Sequence, residues 1–193
     1  MQLEALFLGL AEALNSELEI EAQGARALLA AASKATYEVE GIPLPQPFLD
    51  VMSAENALPV CDLIKDLSLP WLPPQTSPDP AYLALSAIKV HVELLGPGGI
   101  VQDDNVRLGL YGILPNSEYG IRTHPAEEVF VMLAGEAGWK RGEADFQVHG
   151  PGERSHHPSM LQHATRTYDK AFMSVYVWAG DISTENYKYQ GAT

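Results

Sequence analysis

The sequence predicts a mainly β protein, a small barrel or sandwich preceded by a helical region. Three observations predict it. Beyond residue 80 the chain is filled with short alternating or continuous apolar runs separated by turn residues. The first 69 residues instead carry apolar side chains at helical spacing. Between the two, residues 70–80 read PWLPPQTSPDP, five prolines in eleven positions, which is a stiff extended connector. The expected division is a helical N-terminal region (1–69), a connector (70–80) and a β domain (81–193).

In the first region Leu3, Leu6, Phe7, Leu10 and Leu14 line one helical face. Glu17 to Thr36 is rich in Ala and Leu and predicts a second helix, with Gly24 as a weak point. Gly41, Pro43, Pro45 and Pro47 break the pattern, and residues 48–68 predict one or two short helices bounded at Pro59. In the β domain, residues 89–94 alternate and run into a Gly-Pro-Gly-Gly turn. Val106, Leu108 and Leu110 alternate with Arg107, Gly109 and Tyr111, the pattern of a half-buried strand. Val129 to Leu133 and Phe172 to Trp178 are further strand candidates.

Composition narrows the function classes. The 193 residues are 46% apolar, enough for one packed domain. Twelve Lys and Arg against 25 Asp and Glu give a net charge of −13. Such a chain offers no electrostatic footprint for nucleic acid or for anionic membranes. A single cysteine, Cys61, cannot form an internal disulfide and reads as a small buried hydrophobe. No basic leader and no run of 18 apolar residues occurs, so the expected location is the cytoplasm.

Of six histidines, two stand in informative segments. His124-Pro-Ala-Glu127-Glu128 places a histidine four residues before a carboxylate, with Gly135 seven beyond it. Pro158 then precedes His163 by five residues. Imidazole with carboxylate suits Zn, Fe, Mn, Ni or Cu. His156 and His157 read as flanking a turn, and His91 and His149 as structural or surface residues.

Together these segments resemble the two motifs of the cupin superfamily, G-x5-H-x-H-x3,4-E-x6-G and G-x5-P-x-G-x2-H-x3-N. The resemblance implies a cupin β-barrel, a double-stranded β-helix. Arg122 stands in place of the first motif histidine, Asn116 in place of the opening glycine, and Met160 in place of the glycine between Pro158 and His163. A closer resemblance covers most of the chain. Leu69-Pro70-Trp71, Glu93-Leu-Leu-Gly-Pro-Gly-Gly, Asp104-Asn-Val-Arg-Leu-Gly-Leu-Tyr111, Trp139, His157-Pro-Ser and His163-Ala-Thr-Arg-Thr are similar to the cupin dimethylsulfoniopropionate (DMSP) lyases of the DddQ type. That resemblance implies cleavage of DMSP to acrylate and dimethyl sulfide at a divalent metal ion (Zn, Fe, Mn, Ni or Co). It places the metal ligands on His124, Glu128 and His163. One family tyrosine falls on Tyr119; another, the family's favoured base, falls on Phe130, which cannot ionise. A homodimer is an assembly that cupins often adopt.

The chemistry sets its own demands. Elimination removes the proton next to the substrate's carboxylate, so that carboxylate must be neutralised and a base must lie within reach. Tyr119 is the remaining local phenol and a metal-bound hydroxide the other option. Tyr119 stands an odd number of residues before His124, so it reaches the same side of a strand only through a bulge, which Gly120 permits. Arg122 either grips the substrate carboxylate or repels the metal. Tyr111, Phe130, Tyr176 and Trp178 lie on expected strands and can wall a sulfonium cation. Two rival readings remain open at this point. One is a cupin of another reaction class, an isomerase or dioxygenase. The other is a non-catalytic small-molecule-binding cupin.

Overall fold

The computed structural model describes residues 2–36, 40–73 and 76–193. Helix α1 (Gln2–Ala13) buries Leu3, Leu6, Phe7 and Leu10, with Leu14 just beyond it. Helix α2 (Glu19–Ala31) runs on into a 3-10 turn at Ala32–Lys34. Two short helices follow, α3 (Gln46–Met52) with a proline in its first turn and α4 (Val60–Lys65) directly after Pro59. Cys61 is buried there, and burial pushes its thiol up to about 12.

Part of the expected connector, Pro74 and Gln75, lies outside the described residues. Trp71 is buried, and the Leu72 N–H donates to the His91 carbonyl at 2.8 Å. The connector ends sooner than expected, because Pro80 opens a helix, α5 (Pro80–Ala84). The Asp79 carboxylate accepts the N–H groups of Ala81 and Tyr82, and a proline suits the first helical position, where its missing N–H costs nothing.

Eleven strands follow: β1 (Lys89–Gly96), β2 (Val101–Gln102), β3 (Val106–Ile113), β4 (Glu118–Thr123), β5 (Glu127–Gly135), β6 (Ala137–Arg141), β7 (Gln147–His149), β8 (Arg154–His157), β9 (His163–Arg166), β10 (Phe172–Ala179) and β11 (Lys188–Gly191). They form two sheets in the orders β2-β1-β3-β10-β5-β8 and β11-β4-β9-β6-β7, the cupin arrangement. Aromatic residues from both sheets, among them Phe130, Tyr176, Tyr119 and Trp139, meet in the space between them.

The helices share a core with the outer face of the larger sheet. Leu6, Phe7, Leu10 and Leu28 belong to one buried cluster with Leu108, Val129, Val175 and Val177. Strand β3 is consequently covered on both faces rather than half-buried: Leu108 and Leu110 face the helices while Tyr111 faces the interior. Gly24 has its reason here. A Cβ at this position would lie 2.8 Å from Val177 Cγ2, so the glycine lets α2 approach the sheet. The buried Glu21 on α2 pairs with Arg154 on β8 at 2.7 Å, tying the helical layer to that strand.

Two departures from the cupin pattern leave a conformational mark. Asn116 and Met160, which stand where the motifs carry glycine, have φ of 53° and 63°. Asparagine tolerates this left-handed region; methionine there costs on the order of 1–2 kcal/mol. The Met160 side chain is largely exposed and contributes little packing. Met160→Gly is therefore expected to raise stability by about 1 kcal/mol, or roughly 2–4 °C in a thermal melt. An unchanged or lower melting temperature would count against strain at this turn.

Candidate active site

The register of the larger sheet lays the interior out in rows. In one row Arg107, Trp178, Glu128 and His157 stand side by side on β3, β10, β5 and β8. The next row holds Glu93, Gly109, Tyr176, Phe130 and Ser155. The opposite sheet brings Tyr119 and Arg122 on β4 and His163 on β9, while His124 follows the end of β4. The β4–β9 register slips between Tyr119 and Arg122, and both residues line the same cavity of about 280 Å³. That volume suits a small molecule.

Glu128 lies at the bottom of this cavity and is almost fully buried. Trp178 donates its indole N–H to Oε1 at 2.5 Å. His157 donates Nδ1–H to Oε2 at 3.0 Å, and its Nε2 accepts from Ser155 Oγ at 2.8 Å. Burial holds His157 down at about 4, so it is the neutral imidazole this pattern requires. Burial also works against the charge of Glu128, but His124 foremost and then the imidazole contacts outweigh it and hold the carboxyl well below its usual range.

The two motif histidines face the same carboxylate. His124 Nε2 lies 3.5 Å and His163 Nε2 3.2 Å from Glu128 Oε2. Their Nδ1–H groups donate to the carbonyls of Ala126 (3.0 Å) and Leu161 (2.8 Å), so that in each neutral imidazole Nε2 carries the lone pair. Both Nε2 atoms are buried and make no hydrogen bond. Buried lone pairs turned toward a carboxylate are unfavourable unless a cation sits among them. The separations suit ligands each about 2.1 Å from one ion. The donor set of His124, Glu128 and His163, with all ligand atoms within 4.8 Å of one another, therefore fits a divalent metal.

The remaining expected site residues are brought to the same cavity. Arg122 is buried with no carboxylate in ion-pair range among the described residues; it donates to the Tyr119 carbonyl and to Thr165 Oγ1. Its guanidinium lies 4.1 Å from the centre of the Tyr119 ring. The Tyr119 hydroxyl pairs with that of Tyr187. Tyr111, Phe130, Tyr176 and Trp178 all line the cavity.

Some site residues escaped the sequence reading. His157 was expected at a turn, yet it ends strand β8 and supports Glu128. His91 was expected to be structural or surface, yet it lines the cavity and bonds the Tyr176 hydroxyl at 2.7 Å. Tyr82 and Tyr187 come from segments without motif. Only for His157 was there a signal: it adjoins Pro158 of the second motif. Lys89 is a further surprise. Its ammonium is buried 4.0 Å from the ring centres of Tyr82 and Tyr119 and has no hydrogen-bond acceptor among the described residues.

A cupin-like fold with a buried imidazole and carboxylate donor set that could hold a metal ion defines a broad class, and the comparisons narrow it. Residues 47–174 match the family described as dimethylsulfoniopropionate lyase, and the chain belongs to that family. It is 38% identical over 91 residues to dimethylsulfoniopropionate lyase DddQ of Ruegeria pomeroyi, a match spanning 47% of this chain and 45% of that protein. The crystal structure of DMSP lyase DddQ from Ruegeria pomeroyi DSS-3 superposes with a TM-score of 0.58 at 26% identity, covering 89% of this chain and 93% of that one. A chain from the crystal structures of the DMSP lyases RdDddP and RnDddQII shares the fold, with a TM-score of 0.64 at 19% identity and coverage of 97% and 98%. Among the described residues no helix is long and apolar enough to cross a membrane.

Two outcomes follow from the site geometry. His163→Ala is expected to abolish stoichiometric metal binding. His157→Phe keeps the three ligands and should weaken the metal about 10- to 100-fold in chelator competition, because only the support of Glu128 is lost. Equal metal affinity in the His157 variant would deny it that part. The second outcome concerns Lys89, which burial and then Arg122 lower to about 7. A lysine in the unfolded chain titrates near 10.4. Between those values the unfolded state binds more protons, so stability rises with pH across the window. Lys89→Met should raise the melting temperature more at pH 6 than at pH 9; a pH-independent difference would show that the amine finds water.

Proposed function

We propose that this protein is a metal-dependent lyase that eliminates dimethyl sulfide from DMSP and leaves acrylate. The observation that carries the reading is a cavity lined by Glu128 of a metal-ready donor set, by an unpaired guanidinium and by a wall of aromatic rings. The family membership supports the same substrate. DMSP is a zwitterion, and each of its ends has a matching surface. Arg122 retains free N–H donors for the carboxylate, and burial strengthens such a charge-assisted contact. Of its two expected roles, the orientation toward Tyr119 and Thr165 favours the grip on substrate. The sulfonium end packs against Tyr111, Phe130, Tyr176 and Trp178, each ring face worth roughly 0.5–2 kcal/mol for a desolvated cation.

A divalent ion held by His124, Glu128 and His163 supplies a Lewis acid that withdraws charge from the substrate carboxylate and makes the adjacent proton more acidic. Zn, Fe, Mn, Ni and Co all suit these donors. The protein's own residues do the rest. His157 and Trp178 hold Glu128 in place, Arg122 orients the carboxylate, and the rings exclude water from the reacting carbons. The proton beside the carboxylate then faces a wall of phenols that includes Tyr119.

Metal-loaded protein is expected to release dimethyl sulfide into the headspace over DMSP, and chelator-treated protein to release none. Arg122→Gln should raise KM at least about tenfold, the loss of one charge-assisted contact worth about 1.4 kcal/mol or more. A protein that binds metal stoichiometrically but liberates no dimethyl sulfide would point instead to a cupin of another reaction class.

A further inference from the structure

The residue at position 130 has no ionisable group, so the proton acceptor must come from elsewhere in the cavity. Among the described residues five tyrosines line it: Tyr82, Tyr111, Tyr119, Tyr176 and Tyr187. At neutral pH a phenol acts as a base only if it can pass its own proton on as it takes another. Tyr82 donates to Thr76 Oγ1, and the hydroxyls of Tyr119 and Tyr187 face each other. The Tyr111 hydroxyl is buried without a hydrogen-bond partner. None of these contacts offers a basic atom. Of the five phenols, Tyr176 faces a nitrogen: its hydroxyl lies 2.7 Å from His91 Nε2.

The fold makes deliberate room for this pair. Tyr176 is on β10 and His91 on β1, with β3 between them. Gly109 of β3 stands in register with Tyr176; a Cβ there would lie 2.0 Å from the Val92 carbonyl oxygen and 3.0 Å from the tyrosine Cε1. The glycine thus serves the close approach of β1 first, and also leaves space for the phenol to lie across β3 toward β1. The two rings stack at 5.3 Å and 28°. On its other side Tyr176 is in register with Phe130, and it sits two residues before Trp178, which holds Glu128. Tyr176 and Glu128 line the same cavity, so a substrate lying along it would reach from the metal-ready carboxylate to the phenol that extends toward β1.

Charged and titratable neighbours of the pair are Lys89, Glu93, Arg107, Tyr111, Glu128 and Tyr82, and burial foremost holds the Tyr176 phenol well above its usual range. Burial, with help from Arg107 and Lys89, lowers His91 to about 4, so its imidazole is neutral at physiological pH, and in the tautomer protonated on Nδ1 its Nε2 lone pair accepts the Tyr176 hydroxyl. His91 as a residue is partly exposed, which leaves a route to water.

Resting on the lyase reading, we propose that Tyr176 takes the proton next to the substrate carboxylate while handing its phenolic proton to His91 Nε2. The C–H electron pair forms the C=C bond of acrylate, and the C–S bond breaks with its pair remaining on sulfur as dimethyl sulfide. A new O–H bond restores Tyr176, and His91, now an imidazolium, releases the proton to water. One proton leaves per turnover, as the elimination requires. Tyr119 is then the residue that carries Arg122, through its carbonyl and its ring.

The test uses the metal-loaded protein and its dimethyl sulfide release. Tyr176→Phe keeps the ring and should lower kcat about 100-fold or more with KM within about threefold and metal content unchanged, the signature of a lost base. His91→Gln keeps a hydrogen-bond acceptor but not a basic one. It should lower kcat at least about tenfold and turn a rate that is flat between roughly pH 6 and 8 into one that rises with pH, since Tyr176 must then ionise to solvent. A residue that merely positioned the phenol would be replaced by glutamine without that slope. If Tyr176→Phe keeps more than about a third of wild-type kcat while Tyr119→Phe abolishes turnover, the acceptor is Tyr119 and the proposal is overturned with the lyase reading intact. If metal-loaded wild type releases no dimethyl sulfide, the lyase reading fails and the pair loses its role with it.

Discussion

The carboxylate of Glu128 is ionised in a place where almost no water reaches it, and much of the interior is arranged to make that tolerable. A lone buried carboxylate is strongly unfavourable, so every lone pair needs a donor or a cation. Two donors come from the protein, the indole of Trp178 on one oxygen and the imidazole of His157 on the other. The remaining side is turned toward His124 and His163, whose own protons are occupied by backbone carbonyls. What is left is a concave set of lone pairs, which is what a divalent ion requires. Loss of any one member leaves the others unsatisfied, so the ligands and their supports act as a unit.

That arrangement depends on strand register. Trp178, Glu128 and His157 stand in one row because β10, β5 and β8 pair as they do. A slip of one residue would turn each of these side chains to the helical face. The helices prevent it from the far side. Their apolar residues interlock with Val129, Val131, Val175 and Val177, the alternate residues of the same strands. Helix α2 adds a polar tie through Glu21 and Arg154, three residues before His157. The helical layer thus positions the site without touching it.

Departures from the family pattern sort by physics. Asn116 and Met160 replace glycines at left-handed turns and bear on stability. Arg122 replaces a histidine and adds a cation to the cavity instead of a metal ligand. Phe130 replaces a phenol and leaves a ring that still packs between Trp139 and Tyr111. The first pair changes backbone energy, the second the charge and proton balance of the cavity. Only the second bears on the reaction, and in the same row as Phe130 stands Tyr176, whose hydroxyl lies 2.7 Å from an imidazole nitrogen.

By itself the sequence determined the main elements and singled out the candidate ligands. Periodicity placed α1, β1, β3, β5 and β10, because burial of one face imposes its spacing on the chain, and Pro59 marked a boundary because proline cannot donate within a helix. The resemblance to the cupin motifs singled out His124, Glu128 and His163, since ligands on two nearby segments leave a readable spacing. Tertiary structure alone decided what local pattern does not encode. Gly24 looked like a defect in a helix until Val177 lay against it. Strand β3 read as half-exposed because its polar alternation faces a cavity rather than water. His91 and Tyr176 are separated by 85 residues in the chain, and Glu128 and His157 by 29, and each pair meets only through the arrangement of strands in the sheet. Proton transfer and metal support depend on distances of about 3 Å between such residues, and long-range register, not local propensity, sets those distances.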